Sequence, residues 1–500
     1  MVKRKREEAV KEPQTASKPS KVVKAADNAP NVTDSSTLNL QIITGSYERV
    51  LHGFTASIPS SVLLSKEDKE SPKPSPVQFV DTFLFEAHSS AIRCLALSPI
   101  PKADAPEEQR SVILASGGTD ERVNIYSVSA APIVGSDLYA PIPTLGGKKI
   151  LENPKNRELG ALLHHDSSIT SLCIPSRSKI LAASEDNTIS VNRIRDLSIV
   201  SSIKAPRPKT QGRPSGDTAP VGGAPSGVND FAVHPSMKLM LSVGKGEKCM
   251  RLWNLVTGKK AGVLNFGRDI LQSVKEGKWS TGEGRRIVWN SKGDEFAVAF
   301  EWGAVVFGID STPTCRVFPS PRSKLHQLRY VTLDPSAEDS DELLAVSTED
   351  ARVIFYSTKK VHKPEDEEDS PIPYAEAVAQ IGGRVRGLPG RVKDFEILSL
   401  QDERKDLKND FLVTTGSSEG VVRVWYLRGE ELTGTKKSKT QDTKTSSTRQ
   451  VGKLLGAYET AYRITCLKAF VMLAPEDPSE LMGEESEEES EENESESDDE

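Results

Sequence analysis

Short apolar runs alternate with polar turns along most of the chain. Residues 111–128, SVILASGGTDERVNIYSV, pass from an apolar run into a tight polar turn that holds an acid, and then into a second run that carries an aromatic residue. Runs of this length, bounded by Gly, Ser, Asn and Asp, predict short β-strands, and no amphipathic helix of substantial length appears. The same unit recurs in QIITGSYERVLHGF, KILAASEDNTISVNRI, LMLSVGKGEKCMRLWNL, EFAVAFEWGAVVFGI, LLAVSTEDARVIFYS and FLVTTGSSEGVVRVWYL.

In each copy an acid precedes a late-strand residue by six positions. The pairs are Glu48 and Phe54, Asp120 and Tyr126, Asp186 and Asn192, Glu247 and Trp253, Glu301 and Phe307, Asp350 and Tyr356, and Glu419 and Trp425. An acid in a two-strand turn can accept backbone N–H groups and fix the turn. Six residues later, the strand can place a large side chain between neighbouring sheets, where aromatic burial stabilises most. Seven matches, spaced 49 to 72 residues apart, predict a repeat architecture.

The repeat resembles that of the WD40 family, which has a Gly-His-like dipeptide before the first strand and a Trp-Asp-like dipeptide at the end. Phe85-Glu86-Ala87-His88 and Leu163-His164-His165 resemble the first feature, and Trp253-Asn254 and Trp425-Tyr426 resemble the second. The family's structural hydrogen-bond set of His, Ser/Thr, Asp and aromatic is matched by His88, Ser116, Asp120 and Tyr126. In the second blade Ala182 and Asn192 depart from this set, so we expect that blade to depend more on apolar packing. The resemblance implies an all-β, seven-bladed WD40 β-propeller.

The two ends of the repeat region complement each other. The run KLLGAYETAYRITCLKAFVML supplies an outer and then an inner strand, with no partner strands after it. The run QIITGSYERVLHGFTA supplies middle strands, with no inner strand before it. A propeller avoids open sheet edges by pairing its first and last strands, so we predict that the last blade is built from both ends of the chain.

Charge divides the chain into three parts, although the net charge is only −7. Residues 1–37 begin with the basic run Lys3-Arg4-Lys5-Arg6, which is either a nuclear import signal or chance. Residues 38–475 hold the repeats, and residues 476–500 end in EESEEESEENESESDDE, in which Ser486 and Ser495 suit acidophilic kinases. Neither tail can bury enough apolar area to offset the entropy of ordering, so we predict that both are disordered. The basic run and the acidic tail together predict a nuclear, nucleolar protein.

Loops that lead into the inner strands of the later blades are rich in Lys and Arg. A clustered basic face suits a phosphate backbone or an acidic protein segment. The alternative is that these loops are charged only because they are solvated. The predicted partner- or RNA-binding residues of this face are Arg207, Lys209, Arg213, Arg285, Arg286, Arg322, Lys324, Arg384 and Arg386.

Catalytic signatures are missing from the sequence. There is no GxxxxGK[ST] or HExxH motif, and the five cysteines have no zinc-binding spacing, so we expect free thiols and no metal or cofactor. His164-His165-Asp166 resembles a metal or acid–base cluster, but its place at the dipeptide of the second blade favours a structural role. No apolar run is long enough to cross a bilayer, and no membrane partner is expected. We therefore expect a non-enzymatic binding scaffold.

Several segments resemble one branch of WD40 proteins, the p21-activated-kinase-interacting proteins and their fungal relatives. They include TGSYER, FEAHSSAIRCLALS, GALLHHDSSITSL and RIVWNSKGDEFAVAF, and the similarity is best over residues 40–310. The insertions at 130–157, 204–226, 267–284 and 430–450 depart from that branch. The resemblance implies a nucleolar assembly factor for the large ribosomal subunit, a monomer within a larger assembly that contacts pre-ribosomal proteins and pre-rRNA. The alternative is a negative regulator that binds a p21-activated-type protein kinase.

Overall fold

A computed structural model describes the chain between residues 37 and 473. Outside the description lie residues 65–76, 103–104, 107–108, 134–141, 144–148, 208–225, 278–279, 335–336, 338–339, 364–370, 385–387, 402–406, 408 and 434–447. The two predicted tails also fall outside the described residues, apart from Thr37 at the end of the first. None of the helices in the described part is long and apolar enough to span a bilayer.

The described strands pair into seven four-stranded antiparallel units, which we call blades. The closing blade, blade 7, holds β1 (Thr37–Ser46), β2 (Val50–Pro59), β3 (Gln78–Glu86) and β30 (Ile464–Val471). Blade 1 holds β4 (Ile92–Leu97), β5 (Ser111–Gly118), β6 (Val123–Ser129) and β9 (Arg157–Leu162), while the short β7 (Ile142–Pro143) and β8 (Lys149–Ile150) extend blade 7 beside β3. Blade 2 holds β10 (Ile169–Ser176), β11 (Lys179–Ser184), β12 (Thr188–Arg193) and β13 (Ser198–Lys204).

The later blades follow the same order from inner to outer strand. Blade 3 holds β14 (Val228–Val233), β15 (Leu239–Gly244), β16 (Cys249–Asn254) and β17 (Lys259–Asn265). Blade 4 holds β18 (Arg286–Trp289), β19 (Glu295–Ala299), β20 (Ala304–Gly308) and β21 (Pro313–Val317). Blade 5 holds β22 (Leu325–Thr332), β23 (Glu342–Thr348), β24 (Arg352–His362) and β25 (Tyr374–Gly382). Blade 6 holds β26 (Val392–Ser399), β27 (Phe411–Ser417), β28 (Val421–Leu427) and β29 (Lys453–Glu459).

In the described parts of the connections lie three short helices: α1 (Ser60–Leu64), α2 (Arg268–Ser273) and α3 (Gly429–Thr433). The segment that contains α2 connects blades 3 and 4, and it is held by Arg316 of β21, whose side chain is fully buried. Its Nη1 donates to the Ser273 carbonyl at 3.0 Å, and its guanidinium carbon lies 3.7 Å from the ring centroid of Tyr374 in blade 5. This inserted segment is thus docked where blades 4 and 5 meet.

The inner strands form a closed ring, in which each contacts the inner strand of the next blade and β30 contacts β4. Seven apolar clusters fill the junctions between neighbouring blades in the described residues. The late-strand residues of the six-residue pairs lie in this interior: each is buried, from fully enclosed Phe54, Asn192 and Phe307 to Tyr126 at 7% exposure. The spacing identified in the sequence therefore marks buried side chains, and its six aromatic members belong to the apolar clusters between blades.

Both chain ends build blade 7, as predicted. Leu40 to Gly45 of β1 pair in antiparallel register with Val471 to Cys466 of β30. Backbone bonds at the end of the ladder reinforce the closure, since Tyr47 donates to the Arg463 carbonyl at 2.9 Å and Met472 donates to the Asn39 carbonyl at 2.9 Å. The all-β propeller fold and its closure by both termini are confirmed.

A chain that stops at residue 461 lacks β30 and tests this closure. We expect it to aggregate and to lose cooperative unfolding, because β1 loses its ladder partner and the apolar clusters of two junctions are opened. Size-exclusion chromatography and thermal unfolding measure both effects. The matched control stops at Leu473 and should unfold like the full chain. A soluble 1–461 chain with one sharp transition would contradict the split blade.

Candidate functional site: the top face

Blade 1 contains a polar network that joins three of its segments. His88 Nδ1 lies 2.9 Å from Asp120 Oδ1 and must be the donor, because a carboxylate can only accept. His88 Nε2 lies 2.8 Å from Ser116 Oγ. The Asp120 carboxylate also accepts the backbone N–H groups of Ser89 and Arg122. Tyr126 is buried beside this network. The four predicted structural positions thus lie together and hold the turn that precedes β6.

Blade 2 contains an equivalent network, although the sequence predicted that it would depend more on apolar packing. His165 Nδ1 donates to Asp186 Oδ2 at 3.1 Å, and His165 Nε2 lies 2.8 Å from Ser190 Oγ. Asn192 Nδ2 in turn donates to Ser190 Oγ at 2.9 Å. That prediction was wrong, because the hydroxyl missing at Ala182 of β11 is supplied by Ser190 of β12. His165 is therefore engaged in a structural network, and the described residues contain no group of three or more His, Cys, Asp or Glu that could hold a metal ion.

The two predicted structural tryptophans are buried and hydrogen-bonded within their blades. Trp253 Nε1 donates to Ser242 Oγ at 2.8 Å in blade 3, and Trp425 Nε1 donates to Thr415 Oγ1 at 3.3 Å in blade 6. A buried indole needs a partner for its N–H, and the second strand of each blade supplies one.

The loops that enter the inner strands lie on one face, which we call the top face. In blade 4, Arg286 opposes Ala299, and Ala299 opposes Ala304, so the start of β18 and the β19–β20 turn lie at the same end of the blade. The prediction of a basic face considered only the entering loops. The turns between second and third strands add acids to that same face, among them Glu185, Glu301 and Glu349. The top face therefore carries both signs of charge.

Four predicted basic residues lie close together where blades 4 and 5 begin. Glu301 accepts Lys324 Nζ at 2.6 Å and lies 3.3 Å from Arg285 Nη2, while Arg322 places its guanidinium carbon 4.1 Å from the Trp302 ring centroid. Arg286 is directed inward, 3.7 Å from the buried Asp230 carboxylate.

The remaining predicted basic residues are not placed with this group. Arg207 and Arg384 are exposed at the ends of other loops, and Lys209, Arg213 and Arg386 lie outside the described residues.

Three further basic side chains converge on the top face of blades 5 to 7. His326 and Lys393 are the second residues of β22 and β26, and Arg463 immediately precedes β30. Burial, followed by the charges of Lys393 and Arg391, lowers the pKa of His326 to about 3, so its imidazole is neutral. Burial, followed by Arg391 and Arg463, also lowers the pKa of Lys393. The predicted basic face did not include these three residues, because nothing in a strand pattern shows which blades share a junction.

The acid of the blade 2 network gives a pH-dependent test. Burial alone would raise the pKa of Asp186, but hydrogen bonds from His165 and Thr188 outweigh it and lower the pKa to about 2. Since the folded pKa lies below the ordinary value, this stabilisation is present above about pH 4 and is lost as the pH falls through about 2. Asp186→Asn should lower the free energy of unfolding at pH 7 by about 1–3 kcal/mol, the cost of removing a hydrogen bond to a charged group.

Denaturant unfolding of both proteins at pH 7 and at lower pH measures this difference, which should narrow between pH 4 and pH 2. Asp166→Asn is the matched control, because that side chain is exposed beside the network. A difference of the same size at every pH would show that the Asp186 charge does not stabilise the blade.

Comparison with known proteins agrees with this geometry. The family profile described as WD domain, G-beta repeat, matches residues 156–191, which include His165, Asp186 and Ser190 of the blade 2 network. The chain is 26% identical to protein MAK11 of Saccharomyces cerevisiae over 78% of both chains. It is 21% identical to the p21-activated protein kinase-interacting protein 1-like of Xenopus laevis over 87% of this chain and 82% of that one, and 22% identical to Shk1 kinase-binding protein 15 of Schizosaccharomyces pombe over 64% and 69%. The chain thus carries a WD40 repeat in a β-propeller and is similar to the branch of WD40 proteins that includes MAK11 and the p21-activated-kinase-interacting proteins.

Proposed function

We propose that the protein is a non-catalytic scaffold for the assembly of the large ribosomal subunit, acting in pre-rRNA processing and pre-ribosome maturation. Residues 38–475 would form the binding module, with pre-ribosomal proteins and pre-rRNA as partners. The observation that carries the proposal is the similarity to MAK11 along most of both chains, since the segments shared with that branch imply ribosome assembly. A nucleolar location follows from the same proposal, and the basic run at residues 3–6 and the acidic C-terminal tail support it.

The ion pairs on the top face are weak, and this favours a polyanionic partner. Lys324 and Arg285 share one carboxylate, Glu301, and both cations remain partly exposed. Exposed ion pairs of this kind stabilise a fold by only about 0.2–1 kcal/mol. A phosphate can therefore replace Glu301 as a partner at little cost to the fold, and Arg322 beside Trp302 adds a planar donor next to an aromatic ring.

Kinase binding is the second candidate, and the names of two relatives favour it. The Xenopus relative is named for interaction with a p21-activated kinase, and the Schizosaccharomyces relative for binding of Shk1 kinase. A regulator of this kind would bind a protein segment and would not need RNA.

Affinity purification of the tagged full-length protein distinguishes the two candidates. Under the assembly proposal, precursor rRNA and large-subunit proteins should copurify, and the double variant Arg322→Ala/Lys324→Ala should recover less of them. For RNA bound directly, the slope of log K against log salt should flatten by roughly 0.7 for each phosphate that the variant no longer binds. The matched control is Lys238→Ala/Lys259→Ala, which removes two exposed cations at the opposite end of blade 3. A kinase recovered without ribosomal material would overturn the assembly proposal.

A further inference from the structure

The inner strands share a local irregularity at their second residue. In six blades one residue there is unpaired, so that the register with the second strand shifts by one: a single-residue β-bulge. The bulged residues are Arg93, Thr170, Asn229, His326, Lys393 and Thr465. A bulge bends its strand and redirects one side chain. Here it redirects a side chain at the top of each inner strand.

In four blades the redirected side chain binds the next blade. Thr170 Oγ1 donates to the Val228 carbonyl at 2.7 Å, and Thr465 Oγ1 donates to the Ile92 carbonyl at 2.6 Å. The other two bonds at this position run from Asn229 Nδ2 to the Gly284 carbonyl at 2.9 Å and from Arg93 Nη1 to Glu185 Oε1 at 2.8 Å. In each case a donor meets an oxygen acceptor across the junction.

His326 and Lys393 have no such acceptor. Within the described residues, His326 Nε2 is buried without a hydrogen-bond partner, and Lys393 forms no ion pair. His326 is close enough to Lys393 and Arg391 of blade 6 to be affected by their charges, and Lys393 is likewise affected by Arg463 of blade 7. The nearby acid, Glu349, pairs with Arg391 at 3.0 Å.

The junctions of blades 5, 6 and 7 therefore bring together three cations, Arg391, Lys393 and Arg463, and the neutral imidazole of His326. We call these four residues the cation cradle. Among the described residues, Glu349 forms the ion pair with Arg391, and Glu48 accepts the backbone N–H of Arg463 at 2.9 Å. Burial, followed by repulsion from Arg391 and Arg463, disfavours the charged form of Lys393 and lowers its pKa. A bound anion would relieve that repulsion and accept the unused donors.

An exposed aromatic ring lies beside the cradle. Tyr47, in the β1–β2 turn of blade 7, is 61% exposed, and the guanidinium carbon of Arg463 lies 5.6 Å from its ring centroid. Its backbone N–H donates to the Arg463 carbonyl at 2.9 Å, which fixes the ring next to the cradle. Cations that contact phosphate, placed next to a ring on which a base can stack, are the combination by which proteins bind single-stranded nucleic acid.

We propose that the top face of blades 5 to 7 binds single-stranded RNA, with a backbone phosphate in the cation cradle and an adjacent base stacked on Tyr47. The inference rests on the proposed function only for the source of the RNA, which would be a ribosomal precursor. A phosphorylated peptide would also supply a phosphate, but it gives no role to the exposed ring. The two partners differ in that only RNA binding should depend on Tyr47.

Fluorescence anisotropy of the full chain with a labelled single-stranded RNA of about a dozen nucleotides tests the site. Tyr47→Ala should weaken binding roughly 5- to 150-fold, the range for loss of one base stack, whereas Tyr47→Phe should bind like the unmodified protein. Lys393→Ala should weaken binding and flatten the slope of log K against log salt by roughly 0.7. Lys238→Ala, which removes an exposed lysine at the opposite end of the propeller, is the matched control and should leave the RNA affinity and the salt slope unchanged.

Thermal unfolding separates this role from a structural one. Lys393→Ala should not lower the unfolding temperature, because the charged lysine is disfavoured in the folded protein. RNA affinity that is unchanged in Lys393→Ala and Tyr47→Ala would overturn the proposal. Equal binding of a duplex of the same length, or binding of a phosphoserine peptide in place of RNA, would also overturn it. If the protein binds RNA in solution but no pre-ribosomes copurify with it, the proposed function is wrong and the RNA site still stands.

Discussion

Antiparallel pairing of β1 with β30 is the constraint on which the rest of the structure depends. It brings together residues 420 positions apart, as the bond from Thr465 Oγ1 to the Gly45 carbonyl shows. The entropy of closing a loop grows by only about 0.6 kcal/mol per doubling of its length, so this long closure costs little more than a shorter one. In return, every blade gains a neighbour on both sides, and β30 contributes buried residues to the apolar clusters on both sides of blade 7.

Each junction combines apolar packing, which is not directional, with a few directional bonds that fix how neighbouring blades are aligned. Asp230 of blade 3 accepts the Ile287 N–H of blade 4 at 3.1 Å, and Asp394 of blade 6 accepts the Leu467 N–H of blade 7 at 3.0 Å. Arg329 of blade 5 lies 3.4 Å from Asp394, so charge compensates part of the cost of burying that carboxylate. The apolar clusters supply most of the stabilisation, because burial scales with area, and the polar bonds determine the register of one inner strand against the next.

Much of the fold could be predicted from the sequence, because the repeat leaves local signals. The six-residue spacing from Asp120 to Tyr126 identifies a turn acid and a buried side chain without knowledge of neighbours, and the unmatched runs at both ends predict the shared blade. The Ser190 hydroxyl could not be predicted, since it reaches His165 from a different strand from the one the family pattern uses. The position of the turn acids on the same face as the basic loops was missed for a similar reason: whether Glu301 lies near Lys324 depends on blade order and strand direction together.

The bulge position shows how one repeated feature can serve both the fold and a ligand. Where this position holds Thr170, Asn229 or Thr465, the side chain donates a hydrogen bond to a backbone carbonyl of the next blade and so serves the fold. Because the ring is already closed and its junctions are packed, one or two blades can do without that bond and remain in place. At His326 and Lys393 the same geometry directs unused donors towards further cations instead. Blades 5 and 6 lack the bond between blades that this position forms elsewhere, and the donors left unused there can bind an anion.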